Sequence, residues 1–135
     1  MALHVSIVTP EAPITSGDYE QVLAPSVIGD AGILPMHRPL LADLREGMLV
    51  LKSGEADDCY AVSGGFLEVS NDRVTVLAES AEHARDIDVE RASAALEDAE
   101  SQVKTLESGS AEYHNQIARA RRARARLEVA KSLSH

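Results

Sequence analysis

The densest chemistry in this sequence is a run of arginines. Arg119, Arg121, Arg122, Arg124 and Arg126 place five guanidinium groups within eight residues. A guanidinium is planar, permanently charged and offers paired donors to a carboxylate or a phosphate. Two readings stand side by side. In the first, the arginines bracket an apolar helix face, cover it with their stems and pair with acidic neighbours. In the second, they form a docking surface for an acidic partner or a phosphate group.

The other reactive residue types are sparse. Gly29-Asp30-Ala31-Gly32 is a G-x-x-G without the strand-to-helix context and third glycine of a dinucleotide site. Gly64-Gly65 suits a tight β-turn better than a phosphate cradle. Cys59 is the only cysteine, so no internal disulfide or thiolate metal site exists, and no neighbouring cation activates it. The histidines at 4, 37, 83, 114 and 135 include no pair at metal-ligand spacing, so no metal is expected. Asp57-Asp58 falls in an expected turn and reads as solvated. No nucleophile, base and orienting group stand together. The pattern is that of a binding or regulatory module and not of an enzyme.

The elements that position these residues fall into two parts. All five prolines lie in the first 39 residues, and seven of the eight glycines lie before residue 66. This first part reads as short strands. Leu3, Val5 and Ile7 alternate with His4, Ser6 and Val8. Further strands are expected at 19–24, 48–52, 59–63, 66–70 and 73–79. Turn signals stand at Ser16-Gly17-Asp18, Glu46-Gly47, Ser53-Gly54-Glu55, Gly64-Gly65 and Asn71-Asp72. Closely spaced short strands imply an antiparallel sandwich or barrel.

The second part reads as two helices. Val89, Ala92, Leu96, Ala99, Val103 and Leu106 recur at alternating spacings of three and four, a narrow heptad seam. Asp86 or Asp88 can cap its start. Ser108-Gly109-Ser110 ends it, and Ser110 can cap the next helix. There Tyr113, Ile117, Ala120, Ala123, Leu127 and Ala130 share a face. A short break between amphipathic helices implies an antiparallel hairpin. The expected fold is therefore α+β, an N-terminal antiparallel β-sandwich (1–84) followed by a C-terminal antiparallel two-helix hairpin (85–135). An alanine-rich seam buries little area, so the hairpin should be able to open or dock elsewhere.

Charge sharpens this division. The 135 residues carry a net charge of −9, against bulk nucleic-acid binding. By segment the balance is −9 over 1–84, −5 over 85–112 and +5 over 113–135. A basic last helix thus follows an acidic body. At 100° per residue, Arg119, Arg122 and Arg126 share one flank of the seam, and Arg121 and Arg124 the other. Aromatic residues are only 3%, so the core must come from Val, Ile, Leu and Ala. The N-terminus lacks the pattern of a secretory signal, and no window approaches the ~18 apolar residues of a spanning helix. The expectation is a soluble protein that meets a membrane only through a partner.

Three stretches carry a family resemblance. Gly29-Asp30-Ala31-Gly32-Ile33-Leu34-Pro35-Met36-His37-Arg38-Pro39-Leu40 is similar to the G-x-x-G-I-L-P-G-H-x-P-L segment of ATP synthase epsilon subunits, called delta in mitochondria. Gly64-Gly65-Phe66-Leu67-Glu68-Val69 and Val74-Thr75-Val76-Leu77-Ala78-Glu79 resemble the family's G-G-F-x-E-V and V-T-V-L-A stretches. Ile87-Asp88-Val89-Glu90-Arg91-Ala92 resembles its I/L-D-x-x-R-A motif. The stretches occur in order over nearly the whole chain.

The resemblance implies a ten-stranded sandwich on the central stalk of a rotary ATP synthase. There it would contact the gamma subunit and the c-ring, with Asp30 and His37 on the c-ring side. It implies a regulatory helical arm that extends toward the catalytic head to restrain ATP hydrolysis, or folds back on the sandwich. Arg119, Arg121, Arg122, Arg124 and Arg126 would engage acidic surface on the catalytic beta (and alpha) subunits. No cofactor is required. Some members bind regulatory ATP, and the matching positions are Glu82, Asp88, Arg91, Ala92, Arg122 and Arg126. Here Glu97, Asp98 and Glu100 would repel a triphosphate, and the alternative is that Asp88 caps the helix while Arg91 pairs with a carboxylate. Met36 stands where the family has glycine, so that loop is expected to differ. The implied location is the cytoplasmic face of the inner membrane, as a peripheral subunit, or its thylakoid or mitochondrial equivalent. Two other classes remain: a stand-alone ATP-sensing module whose hairpin closes on nucleotide, and an unrelated β-plus-coiled-coil adaptor.

Overall fold

The computed structural model describes residues 2–54 and 56–134. Met1, Glu55 of the expected turn at Ser53-Gly54-Glu55, and His135 lie outside the described residues. Ten strands precede the helices: β1 (Leu3–Val8), β2 (Pro13–Tyr19), β3 (Gln21–Ser26), β4 (Gly29–Ile33), β5 (Leu40–Asp43), β6 (Gly47–Lys52), β7 (Asp57–Ser63), β8 (Phe66–Ser70), β9 (Arg73–Leu77) and β10 (Ser80–His83). They form two five-stranded sheets, ordered β2-β1-β9-β8-β5 and β10-β7-β6-β3-β4. The pairing is antiparallel except between β1 and β9, which run parallel from His4↔Arg73 to Val8↔Leu77. The N-terminal strand thus closes the first sheet by inserting between β2 and β9.

The six strands expected from the sequence correspond to the six interior strands, with the one expected at 19–24 lying at Gln21–Ser26 and Tyr19 closing β2, and the one expected at 73–79 ending at Leu77. The four further strands, β2, β4, β5 and β10, are the sheet edges. β2 carries Pro13 and Gly17, and no residue along it is fully buried. An edge strand tolerates proline and glycine because one row of its backbone groups faces water. Ser16-Gly17-Asp18 is therefore strand and not turn. Asp57-Asp58 likewise opens β7 instead of lying in a solvated turn.

Between the sheets, Leu3, Val5, Ile7, Val22, Ile33, Leu49, Leu51, Leu67, Val69, Val74 and Val76 are buried. Among the described residues Tyr60 is the buried aromatic residue of this core, and Tyr19 packs half-buried against it. β6 and β7 differ from the other strands. Leu49, Val50 and Leu51 in β6, and Cys59 through Ser63 in β7, are buried on consecutive residues. Such runs mark strands covered on both faces, and the helices supply the second cover.

A short 3-10 turn (Ala84–Asp86) leads to α1 (Val89–Thr105). Asp88 caps α1, its carboxylate accepting the Arg91 N–H at 3.1 Å. Leu106 already has extended backbone, so α1 ends before the last expected seam residue. Val89, expected in the seam, is 51% exposed, and the buried seam residues of α1 are Ala92 and Ala99. α2 (Ala111–Lys131) begins at Ser110, whose hydroxyl accepts the Tyr113 N–H at 3.1 Å. A second 3-10 turn (Ser132–Ser134) follows it. α2 buries Ala120 and Ala123, and in addition Ala125 and Val129. The latter pair serve a second face, turned to the sandwich.

Met36 has φ of 68°, the left-handed conformation that glycine takes without strain. The Asp72 carboxylate holds this loop by accepting the Met36 N–H at 2.6 Å. At Gly65, φ is 103°, and a Cβ would sit 1.9 Å from the Leu77 carbonyl oxygen. Gly65→Ala must therefore push β8 from β9. It is expected to cost at least about 3 kcal/mol in urea unfolding, and a loss below about 1 kcal/mol would contradict this packing.

Candidate functional site

The outer face of the second sheet and the sandwich-facing side of α2 make up the site. Val50, Cys59, Ala61, Ala84, Ile87 and Val129 form a cluster separate from the sandwich core. Val129 is fully buried, and Cys59, beneath the arm, is 8% exposed. Leu23, Met48 and Ala130 pack at its margin. The sequence seam did not include Ala125 and Val129. The signal was available as their four-residue spacing, together with the unbroken apolar run of β7.

The hairpin is therefore folded down on the sandwich. Its arginines are distributed around the docked arm. Arg119 pairs with Asp98 of α1 and donates to Gln116 at 3.3 Å. Arg124 reaches Glu100 of α1 at 3.5 Å. Arg126 donates from Nε to Glu82 Oε1 of β10 at 3.0 Å. Arg121 and Arg122 are exposed. Pairing with the acidic first helix thus accounts for two of the five. Exposed pairs of this kind contribute about 0–1 kcal/mol each.

Two clefts flank α2. One, of 350 Å³, lies between α2 and the β7–β10 edge, lined by Glu82, Arg122, Arg126, Ser63 and Ser80 among others. It brings together three of the six positions matched to ATP binding. The other three stand elsewhere: Asp88 and the Arg91 amide form the helix cap, and Ala92 is buried in the interhelical seam. The second cleft, of 460 Å³, holds Arg121 and Arg124 beside Asp30, Arg45 and Glu46. Asp30 is exposed on β4 and ion-paired to Arg45 at 2.5 Å. His37, in the loop after β4, is 2.6 Å through Nδ1 from the Arg38 carbonyl.

A polar cluster missed by the sequence reading sits where the arm joins the sandwich. Asp58 Oδ2 accepts from the Tyr19 hydroxyl at 3.1 Å, and its Oδ1 lies 3.1 Å from His83 Nε2. The hydrogen bond from His83 holds the Asp58 carboxyl below the usual carboxylate range, and that from Tyr19 adds to it. Burial, with the bond to Asp58, pushes the Tyr19 phenol up to about 12. Tyr60 meets the His83 ring edge-on at a centroid distance of 4.9 Å. Among the described residues no group of three or more His, Cys, Asp or Glu could hold a metal ion. No described helix is long and apolar enough to cross a membrane.

Residues 2–84 match the family described as ATP synthase, Delta/Epsilon chain, beta-sandwich domain. Residues 85–131 match ATP synthase, Delta/Epsilon chain, long alpha-helix domain. An ATP synthase epsilon chain of Halalkalibacterium halodurans is 46% identical over 128 residues, covering 95% of this chain and 96% of the relative. One from Anaeromyxobacter sp. (strain K) is 44% identical over 130 residues, covering 96% and 98%. The fold is shared with a chain in the cryo-EM structure of the Euglena gracilis mitochondrial ATP synthase, OSCP/F1/c-ring, in rotational state 1. That similarity has a TM-score of 0.82 at 20% identity, covering 99% of this chain and 82% of the other.

Because Asp58 is stabilised as the anion, its contribution is present above the ordinary carboxylate range and is lost as pH falls through and below it. Asp58→Asn is expected to cost about 1 kcal/mol at neutral pH. It should also flatten the pH dependence of urea midpoints between about pH 5 and about pH 3. An unchanged acid limb in the variant would remove Asp58 from this role.

Proposed function

This chain belongs to the ATP synthase delta/epsilon family, and on that footing we propose that its docked hairpin is one of two working states of a regulatory arm. The sandwich holds the central stalk, joining the gamma subunit to the c-ring. The arm restrains ATP hydrolysis when it extends toward the catalytic beta and alpha subunits. The chain itself carries no catalysis; it is a peripheral subunit on the membrane face that bears the catalytic head.

The observation that carries this reading is the small-residue contact between α2 and the outer sheet. Val129 with Ala125 and the half-buried Ala130 make up the helix side of that contact, and the seam to α1 is alanine-based as well. A docked state built this way lies only a few kcal/mol from a released one, which is what a two-state element needs. The charges support the same reading. Arg119, Arg124 and Arg126 now pair with carboxylates of the chain itself. On release Arg126 would exchange Glu82 for a carboxylate of the beta subunit, and Arg119 and Arg124 would do the same once α2 separates from α1, while Arg121 and Arg122 meet it directly. Such an exchange is nearly balanced and weakens with salt. Asp30 and His37 would face the c-ring, with Arg45 holding Asp30 ready for a basic loop.

ATP has a place in this proposal through the 350 Å³ cleft. Its phosphates would take Arg122 and Arg126, displacing Glu82, and hold the arm down. Asp88, Arg91 and Ala92 would contribute only after the helix start rearranges, and Glu82 adds to the repulsion already expected from α1. The same cleft favours a stand-alone ATP sensor as the second reading.

In a reconstituted complex, Arg122→Ala with Arg126→Ala is expected to raise ATP hydrolysis by several-fold to about tenfold, the effect of about 1.4 kcal/mol of lost contact. Unchanged hydrolysis would remove these two arginines from the inhibitory state. Calorimetry of the isolated chain should give weak heats with ATP that vanish in the same double variant. No heat and no thermal shift at millimolar ATP would dismiss both nucleotide regulation and the sensor reading.

A further inference from the structure

The joint between sandwich and arm turns on one side chain. His83 ends β10, is 9% exposed, and stands at the N-cap position of the 3-10 turn Ala84–Asp86. Its Nδ1 accepts the Arg85 N–H at 3.1 Å. A backbone N–H can only donate, so Nδ1 carries no proton. The proton of the neutral ring therefore sits on Nε2, which donates to Asp58 Oδ1 at 3.1 Å. Both ring nitrogens are committed, and the tautomer is fixed by the backbone on one side and a carboxylate on the other.

A second proton can enter only at Nδ1. There it would face the Arg85 N–H, donor against donor, and the cap would be lost. The bond to Asp58 would meanwhile gain charge. Protonation thus anchors the ring to β7 and releases the turn. That turn carries Ala84 and leads into Ile87, both buried with Val129 in the cluster that seats the arm.

We propose that His83 makes the docking of the arm sensitive to pH, the neutral ring holding the linker turn in its docked form and the protonated ring freeing it. The proposal rests on the arm having two states. The released linker takes up a proton at Nδ1 that the docked cap excludes, so acid shifts the balance toward release. Histidine is the side chain whose charge changes between mild acid and neutrality, the range a cell visits.

The surrounding charges fit this assignment. On β7 stand Asp58 and, at the start of the same strand, Asp57; on the linker stand Arg85 and Asp86. Tyr60 of β7 and Tyr19 of β2 are both raised by burial and stay neutral through the range. A cleft of 970 Å³ beside the ring is also lined by Glu20, Lys52, Cys59 and, from the end of the arm, Ser132 and Leu133.

The test is NMR on the isotope-labelled full-length chain from about pH 8 to about pH 5. The ring nitrogens of His83 report protonation, and the methyl groups of Ile87 and Val129 report docking. Both methyl groups are expected to move in one step that tracks His83. The undocked population should rise about fivefold, the effect of losing one cap. In His83→Asn, Oδ1 can accept the Arg85 N–H and does not titrate, so the step should vanish. In Asp58→Asn the step should move to lower pH. Core methyl groups of Leu67 and Val74 verify that each variant is folded.

Protonation of His83 with Ile87 and Val129 unmoved would overturn the proposal. So would an unchanged step in His83→Asn, or a step in Asp58→Asn that stays in place or moves up. No other subunit is present, so failure here leaves the inhibitory role standing. Failure of inhibition in the assembled complex would equally leave this step intact.

Discussion

The arrangement depends on how small the residues are where α2 meets the second sheet. Ala61, Ala84, Ala125, Cys59, Val50 and Val129 allow the helix to lie close to the strands. Close approach brings many weak dispersion contacts but removes little apolar area from water. Leucine or phenylalanine at these positions would hold the helix further off and bury far more. The near absence of aromatic residues is thus a property of both layers. Between the sheets, Leu, Ile and Val fill the space; beneath the arm, Ala and Cys make up half of the buried cluster beside Val50, Ile87 and Val129. The sandwich is a permanent core, and the arm rests on it.

Electrostatics sets the orientation of the arm without fixing it. The ion pairs of α2 run to three different places: Asp98, Glu100 and Glu82. Two of these belong to the hairpin, and only the Glu82 pair crosses to the sandwich. Release of the whole hairpin therefore preserves the first two pairs and breaks one partly exposed contact. Separation of α1 from α2 is a different event, which breaks both intra-hairpin pairs and exposes Ala92, Ala99, Ala120 and Ala123. The two motions have separate costs, and different partners can drive them.

Much of the fold was legible because burial on one face leaves a period of two. β1 shows it in Leu3, Val5 and Ile7, and each interior strand carries enough apolar residues to be found. The edge strands were hidden for the opposite reason. β2 and β4 have few buried side chains, contain glycine, and in β2 proline, so their residues look like turn. Only the pairing partner makes them strands. The second face of α2 was hidden by alanine, which belongs equally to a seam, a docking face or a solvated surface. The Asp58–His83–Tyr19 cluster was illegible because its members lie 25 and 39 residues apart in sequence. The arginine run, by contrast, was found at once, yet its partners were visible only in space.

The same logic explains why control should reside in the linker and not in the contact itself. A contact of small residues and exposed ion pairs cannot be tuned sharply, since each member contributes little and loss of one is absorbed by the rest. A linker of a few residues is different. Every path between the docked and released arm passes through Ala84–Asp86, and its backbone has few hydrogen bonds. One of these ends on a titratable ring whose other nitrogen is held by the sandwich. A single proton there acts on the whole arm, because the arm has no other covalent route to the sheet.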